Sequence, residues 1–95
     1  MTSKQRAYLK SIASNLDTIF HIGKSGVTPE ICESIREALD ARELIKLNVL
    51  KNCLDEPKGI AILLSERTGS QVVQVIGRKI VLYKPSQKNP KIILN

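Results

Sequence analysis

Four consecutive residues, Gly23-Lys24-Ser25-Gly26, bring together an ammonium group, a hydroxyl and two backbone positions that lack a Cβ. Glycine lets the main chain approach a ligand closely, so a phosphate at this loop can meet bare amide donors together with Lys24 and Ser25. A helix beginning just beyond would add unpaired N–H groups of its own. The chemistry implied is anion binding. A nucleotide-binding loop of the form GxxxxGK[ST] is excluded because its first glycine would fall on Thr18, and no GxGxxG supports a dinucleotide site. His21 and Ser25 have the types of a base and a nucleophile, but no acidic residue is placed to orient the imidazole. A lone histidine in a strand reads as a packed residue, and no catalysis is assigned. Glu30, Glu33, Glu37, Asp40 and Glu43 follow one another along a single predicted helix and its end, the pattern of a solvated face.

A second group of candidates lies near the other end of the chain. Lys79, Val81 and Tyr83 alternate with Ile80 and Leu82, so the first three share one face of a strand, while Arg78 occupies the preceding turn. If the wet face of an earlier strand lies on the same side, Lys46, Lys79 and Tyr83 form a basic surface with one aromatic platform for a base. The chain has three aromatic residues, Tyr8, Phe20 and Tyr83, too few for the stacked sheet of an RNA recognition motif, whose signature is also missing. Cys32 and Cys53 are separated by 21 positions, with no CxxC and one histidine in the chain, so no zinc site is expected. They read as two thiols in a reducing cytoplasm. No cofactor, metal or small-molecule substrate is called for.

These residues need elements to hold them. Thr2 and Gln5 have the form of a capping box, and Leu9, Ile12, Ala13 and Leu16 recur at helical spacing, giving a first helix over about residues 3 to 15. Thr18 to Ile22 suits a buried strand. Thr28-Pro29-Glu30 starts a second helix, whose apolar stripe is Ile31, Ile35, Ala38 and Leu39. Leu44 to Val49 alternates as a strand, with Lys46 pointing outward. Asp55-Glu56-Pro57 opens a third helix that Gly69 closes. Val72 to Ile76 and Lys79 to Tyr83 are then two strands joined by Gly77-Arg78, a loop with glycine first that fits a type II′ hairpin. From about residue 85 the tail reads as loose, with Ile92 to Leu94 available as a short edge strand. The fold class is α/β, in the order α-β-α-β-α-β-β, with a mixed four-stranded sheet flanked by helices. Its two β-α-β passages favour neighbouring parallel strands.

Length and charge narrow the function. Ninety-five residues make one small domain with a modest core, poorly suited to a deep enclosed catalytic cavity. The longest apolar run, Ile60 to Leu64, is far below the roughly 20 residues that cross a bilayer, so no membrane partner is expected. Residues 1 to 28 carry Lys4, Arg6, Lys10 and Lys24 against Asp17, a net of +3. Residues 29 to 66 hold five basic and eight acidic groups, a net of −3, and residues 67 to 95 hold six basic groups and no acid, a net of +6. If the two basic ends meet in space, one face is positive and attracts a polyanion.

The strand ending in Gly23-Lys24-Ser25-Gly26, the segment Glu43-Leu44-Ile45-Lys46, the helix end Glu66-Arg67-Thr68-Gly69 and the hairpin Val75 to Tyr83 together resemble the YhbY-type CRM domain. The name stands for chloroplast RNA splicing and ribosome maturation, and the likeness runs from about Ser3 to Leu94. The resemblance implies a fold similar to the C-terminal domain of translation initiation factor three. It implies RNA binding through a GxxG loop like that of KH domains, and no enzymatic activity. It also implies, for a stand-alone chain, association with ribosomal RNA in precursors of the large subunit; apart from the resemblance, the chain is expected to act in the cytoplasm as a monomer. The alternative within the same class is a module for intron splicing or general RNA chaperoning. By position, Gly23, Lys24, Ser25 and Gly26 are then the RNA-contacting loop. Lys46, Arg78, Lys79, Tyr83 and Lys84, with Lys4, Arg6 and Lys10 on the first helix, extend the site on grounds of charge and pattern.

Overall fold

A computed structural model describes residues 1–88 and 90–94. Its elements are α1 (Ser3–Ala13), β1 (Thr18–Ile22), α2 (Pro29–Arg42), β2 (Leu44–Val49), α3 (Pro57–Thr68), β3 (Gln71–Ile76) and β4 (Lys79–Tyr83). The Thr2–Gln5 capping box starts α1, with each side chain bonding the other residue's backbone amide at 3.0–3.1 Å. That helix ends at Ala13, before the expected residue 15, because the amides of Asn15 and Leu16 turn back to Ile12 and Ala13. Thr28 Oγ1 accepts from the Ile31 amide to cap α2, and Gly69, at φ 68°, ends α3. Gly77 has φ 57° while Arg78 stays at negative φ, the combination a type II′ turn requires.

The sheet is mixed, in the order β1-β2-β4-β3. Strands β1 and β2 are parallel neighbours, whereas β4 lies antiparallel to both β2 and β3. The second β-α-β passage therefore does not join neighbours, since the last strand enters between β2 and β3. Burial explains the choice. Ile80, Val81, Leu82 and Tyr83 are all buried, so β4 needs cover on both faces and a partner on both edges, while β3 carries Gln71 and Gln74 and tolerates an edge.

Two cores sit on opposite faces of the sheet. Ile22, Ile45, Leu47, Val49, Ile80 and Leu82 pack beneath Cys32, Ile35 and Leu39 of α2 and Ile60, Ala61 and Leu64 of α3. Leu44, Val73, Val81 and Tyr83 pack beneath Leu9 and Ala13 of α1, with Ile92 and Leu94 at the margin. The result is α1 on one side of the sheet and α2 with α3 on the other. Cys32 and Cys53 are buried free thiols.

Two expectations are corrected here. Glu43, placed by pattern on a solvated face, is fully buried and adopts φ 67° after the last turn of α2. Its carboxylate accepts backbone amides from Ser86 at 2.8 Å and Ile92 at 2.6 Å, and from Lys91. In the tail, expected to be loose, these bonds hold Ser86, Lys91 and Ile92; Pro85, Gln87 and Lys88 border α2, whereas Ile92 and Leu94 pack against the α1 core and residues 92–94 form no strand. A buried carboxylate this close to three peptide N–H groups replaces its hydration with fixed donors, which is how its burial is tolerated.

Candidate nucleic-acid interface

The glycine loop is a tight turn. The Gly26 amide donates to Gly23 O at 2.9 Å, which puts Lys24 and Ser25 at the exposed corner. Gly26 has φ +66°, a conformation that side chains with a Cβ disfavour. Among the described residues, the amides of Lys24 and Ser25 donate to no protein acceptor, so both are open to an anion. The start of α2 contributes less than expected. Thr28 already caps it, Pro29 has no N–H and Glu30 brings a negative charge into the first turn.

Two more segments meet the turn at this end of the sheet. The Leu50 amide donates to Ile22 O at 2.8 Å, linking the stretch after β2 to the end of β1. The Val49 amide donates to Arg78 O at 2.7 Å, and Arg78 Nη1 returns a bond to Leu50 O at 3.1 Å. Lys24, Lys51, Arg78 and Lys79 are therefore gathered at one end, all exposed. Lys51 escapes a reading of the sequence, because only the topology brings the β2–α3 connection beside the glycine turn. Acidic groups flank the same turn on its helix side: Glu30 opens α2, and Asp55 Oδ2 would lie 3.5 Å from a Cβ on Gly26.

The remaining nominated residues are dispersed. Tyr83 is 4% exposed and belongs to the core under α1, so it offers no face to a base. Burial pushes its phenol above the ordinary value, and the nearby Glu43 carboxylate adds to the rise. Burial alone would raise Glu43 too, but its bonds from Ser86, Ile92 and Lys91 and the charge of Lys91 outweigh that and hold its carboxyl below the usual value. Lys46 is half-buried, with Nζ 3.5 Å from Ala13 O at the end of α1. Lys84 Nζ donates to Thr68 O at 3.2 Å, which places it against the C-terminus of α3 at the opposite end of the sheet from the glycine turn. Arg6 Nη1 donates to Val72 O and Val73 O at 2.7 and 2.8 Å, where the pairing of β3 with β4 shifts register, so its guanidinium staples α1 to the sheet edge. Lys10 borders a surface hollow with Arg6, Lys58 and Ile76, whereas Lys4 lies with Tyr8 beside Ile93 and Leu94. The first and last thirds of the chain meet along α1, through Arg6 on the carbonyls of Val72 and Val73 and through Ile92 and Leu94, which does not gather the basic side chains of the last third there.

His21 is exposed rather than packed, and no hydrogen bond joins it to Ser25 among the described residues. Among the same residues no group of three His, Cys, Asp or Glu side chains is placed to hold a metal ion. No helix there is long and apolar enough to cross a membrane. What the loop end can do chemically is bind a polyanion through two free amides and four cations.

Residues 1–84 match the CRS1 / YhbY (CRM) domain. The chain is 47% identical over 94 residues to "Probable RNA-binding protein YqeI" of Bacillus subtilis, covering 99% of this chain and 98% of that protein. It is 32% identical over 88 residues to a Haemophilus influenzae protein named "RNA-binding protein", covering 93% and 89% of the two chains. The solution structure of the hypothetical protein SAV1595 from Staphylococcus aureus has the same fold, with a TM-score of 0.83 and 47% identity over 100% of this chain and 99% of that one. The protein belongs to the CRS1 / YhbY (CRM) domain family.

Proposed function

We propose that this protein binds RNA without catalysing a reaction on it, and that in the cytoplasm it acts as a monomer on ribosomal RNA in large-subunit precursors, assisting their assembly. The observation that carries RNA binding is the exposed Gly23–Gly26 turn, whose corner presents Lys24 and two free amides beside Lys51, Arg78 and Lys79. Its relatives in Bacillus subtilis and Haemophilus influenzae bear names that state RNA binding. The ribosomal part of the reading is supported by the resemblance to the YhbY-type CRM domain.

Mechanistically, the turn holds a phosphate while the surrounding cations neutralise its neighbours, and these contacts fix position without reading sequence. Glu30 and Asp55 repel a phosphate backbone from the helix side of the turn, so the strand enters from the side of the sheet that carries α1. The test is twofold. Lys24→Ala is expected to weaken binding to a ribosomal RNA fragment in a gel-shift titration, and the chain is expected to co-sediment with large-subunit precursors in a sucrose gradient. Unchanged affinity overturns the loop as the contact, and confinement to the top of the gradient overturns the ribosomal assignment.

A further inference from the structure

The sheet face that carries α1 is only half covered. Leu44, Val73, Val81 and Tyr83 lie beneath the helix and the tail, whereas the strand positions nearest the glycine turn do not. There the register pairs His21 with Asn48 and Asn48 with Lys79. The residues before and after each of the first two belong to the opposite core, as does Ile80 after Lys79, so all three side chains emerge on the α1 side. Adjacent strands set them in one row about 4.8 Å apart. Lys79 pairs in turn with Ile76, which is 61% exposed. Among the described residues the side chains of His21, Asn48 and Lys79 make no hydrogen bond or ion pair.

We infer that the His21–Asn48–Lys79 row is a nucleobase site, taking an unpaired RNA nucleotide next to the phosphate held on the glycine turn. This rests on the RNA-binding reading above and adds to it the class of RNA recognised. An imidazole face stacks on any base, and a carboxamide presents both a donor and an acceptor to a base edge. Lys79 supplies a charge for the adjoining phosphate, and Ile76 an apolar margin. The row begins two residues before Gly23, on the side of the turn away from Glu30 and Asp55. A base in a duplex cannot reach such a shallow sheet surface, so the site selects single-stranded RNA or a splayed loop.

The proposal is tested by titrating the full chain with a single-stranded RNA oligonucleotide and with the same oligonucleotide carrying abasic nucleotides throughout. Wild type is expected to bind the abasic chain roughly tenfold more weakly, the loss of about one stacked base. His21→Ala and Asn48→Ala are expected to lose roughly fivefold on the intact oligonucleotide and almost nothing on the abasic one, with His21→Phe restoring the stacking part. Lys24→Ala weakens both ligands alike. Equal wild-type affinity for the two oligonucleotides overturns the base site, as does a loss at Lys24→Ala with none at His21→Ala or Asn48→Ala, and both leave RNA binding intact. Wild type that binds a duplex but neither single strand also overturns the site. Failure to bind any of these RNAs removes the RNA reading itself.

Discussion

At the scale of single residues, the proposed RNA contact and the contribution to stability fall on different positions of the same turn. Lys24 is exposed and bonded to nothing in the protein. Its replacement by Ala is therefore expected to lower RNA affinity several-fold while leaving the thermal midpoint unchanged, which paired gel-shift and melting measurements check. Gly26, at φ +66°, is the reverse case: Gly26→Ala is expected to cost about 1–2 kcal/mol in urea unfolding, because a Cβ is strained in that conformation. The turn itself was legible in the sequence, since two glycines around Lys and Ser before a Thr-Pro helix start admit few structures. Tyr83 was misread for a specific reason. Alternation assigns it to one face of the strand, but only the position of α1 decides whether that face is wet, and α1 lies 70 residues earlier in the chain.

At the scale of elements, the two basic flanks turn out to serve the fold as well as the surface. Arg6 bonds two carbonyls of the irregular stretch in β3, so Arg6→Ala is expected to destabilise the chain by about 2 kcal/mol, with RNA affinity per folded molecule little changed. Chemical denaturation followed by titration under native conditions separates the two effects. Glu43 does for the tail what Arg6 does for the first helix. Glu43→Gln is expected to lose about 2–3 kcal/mol and to speed amide exchange at Ser86, Lys91 and Ile92. Folding holds this carboxyl below its ordinary value, so its stabilisation is complete above the unfolded-state value and is lost as pH falls through the lower folded one. The stability gap between wild type and Glu43→Gln is therefore expected to be wide at neutral pH and to narrow as pH falls below the ordinary carboxylate value, which urea midpoints across an acid pH series measure. Nothing local reveals Glu43 in advance, because four acids spaced before it on α2 share its residue type and only the left-handed cap turns it inward.

At the scale of the whole molecule, charge is arranged by end and by side. The loop end gathers Lys24, Lys51, Arg78 and Lys79, whereas Lys84 and Arg36 lie around the far end. RNA affinity is expected to fall with salt by about 0.7 log units per log unit for each single-strand phosphate neutralised, and Arg78→Ala to reduce that slope by about one contact. A slope unaffected by any loop-end substitution, measured by fluorescence anisotropy across a salt series, counts against this placement. Strand and helix order, the β3–β4 hairpin and the parallel β1–β2 pair were readable from periodicity, caps and turn chemistry, while the entry of β4 beside β2 was not, because periodicity is silent on which edges meet. That order has a consequence for biosynthesis. The strand at the centre of the sheet is the last to leave the ribosome, so β3 waits without its partner until residues 79–83 emerge. A nascent chain halted before them would expose unpaired edges on both halves, and it is their arrival that closes the sheet in one step.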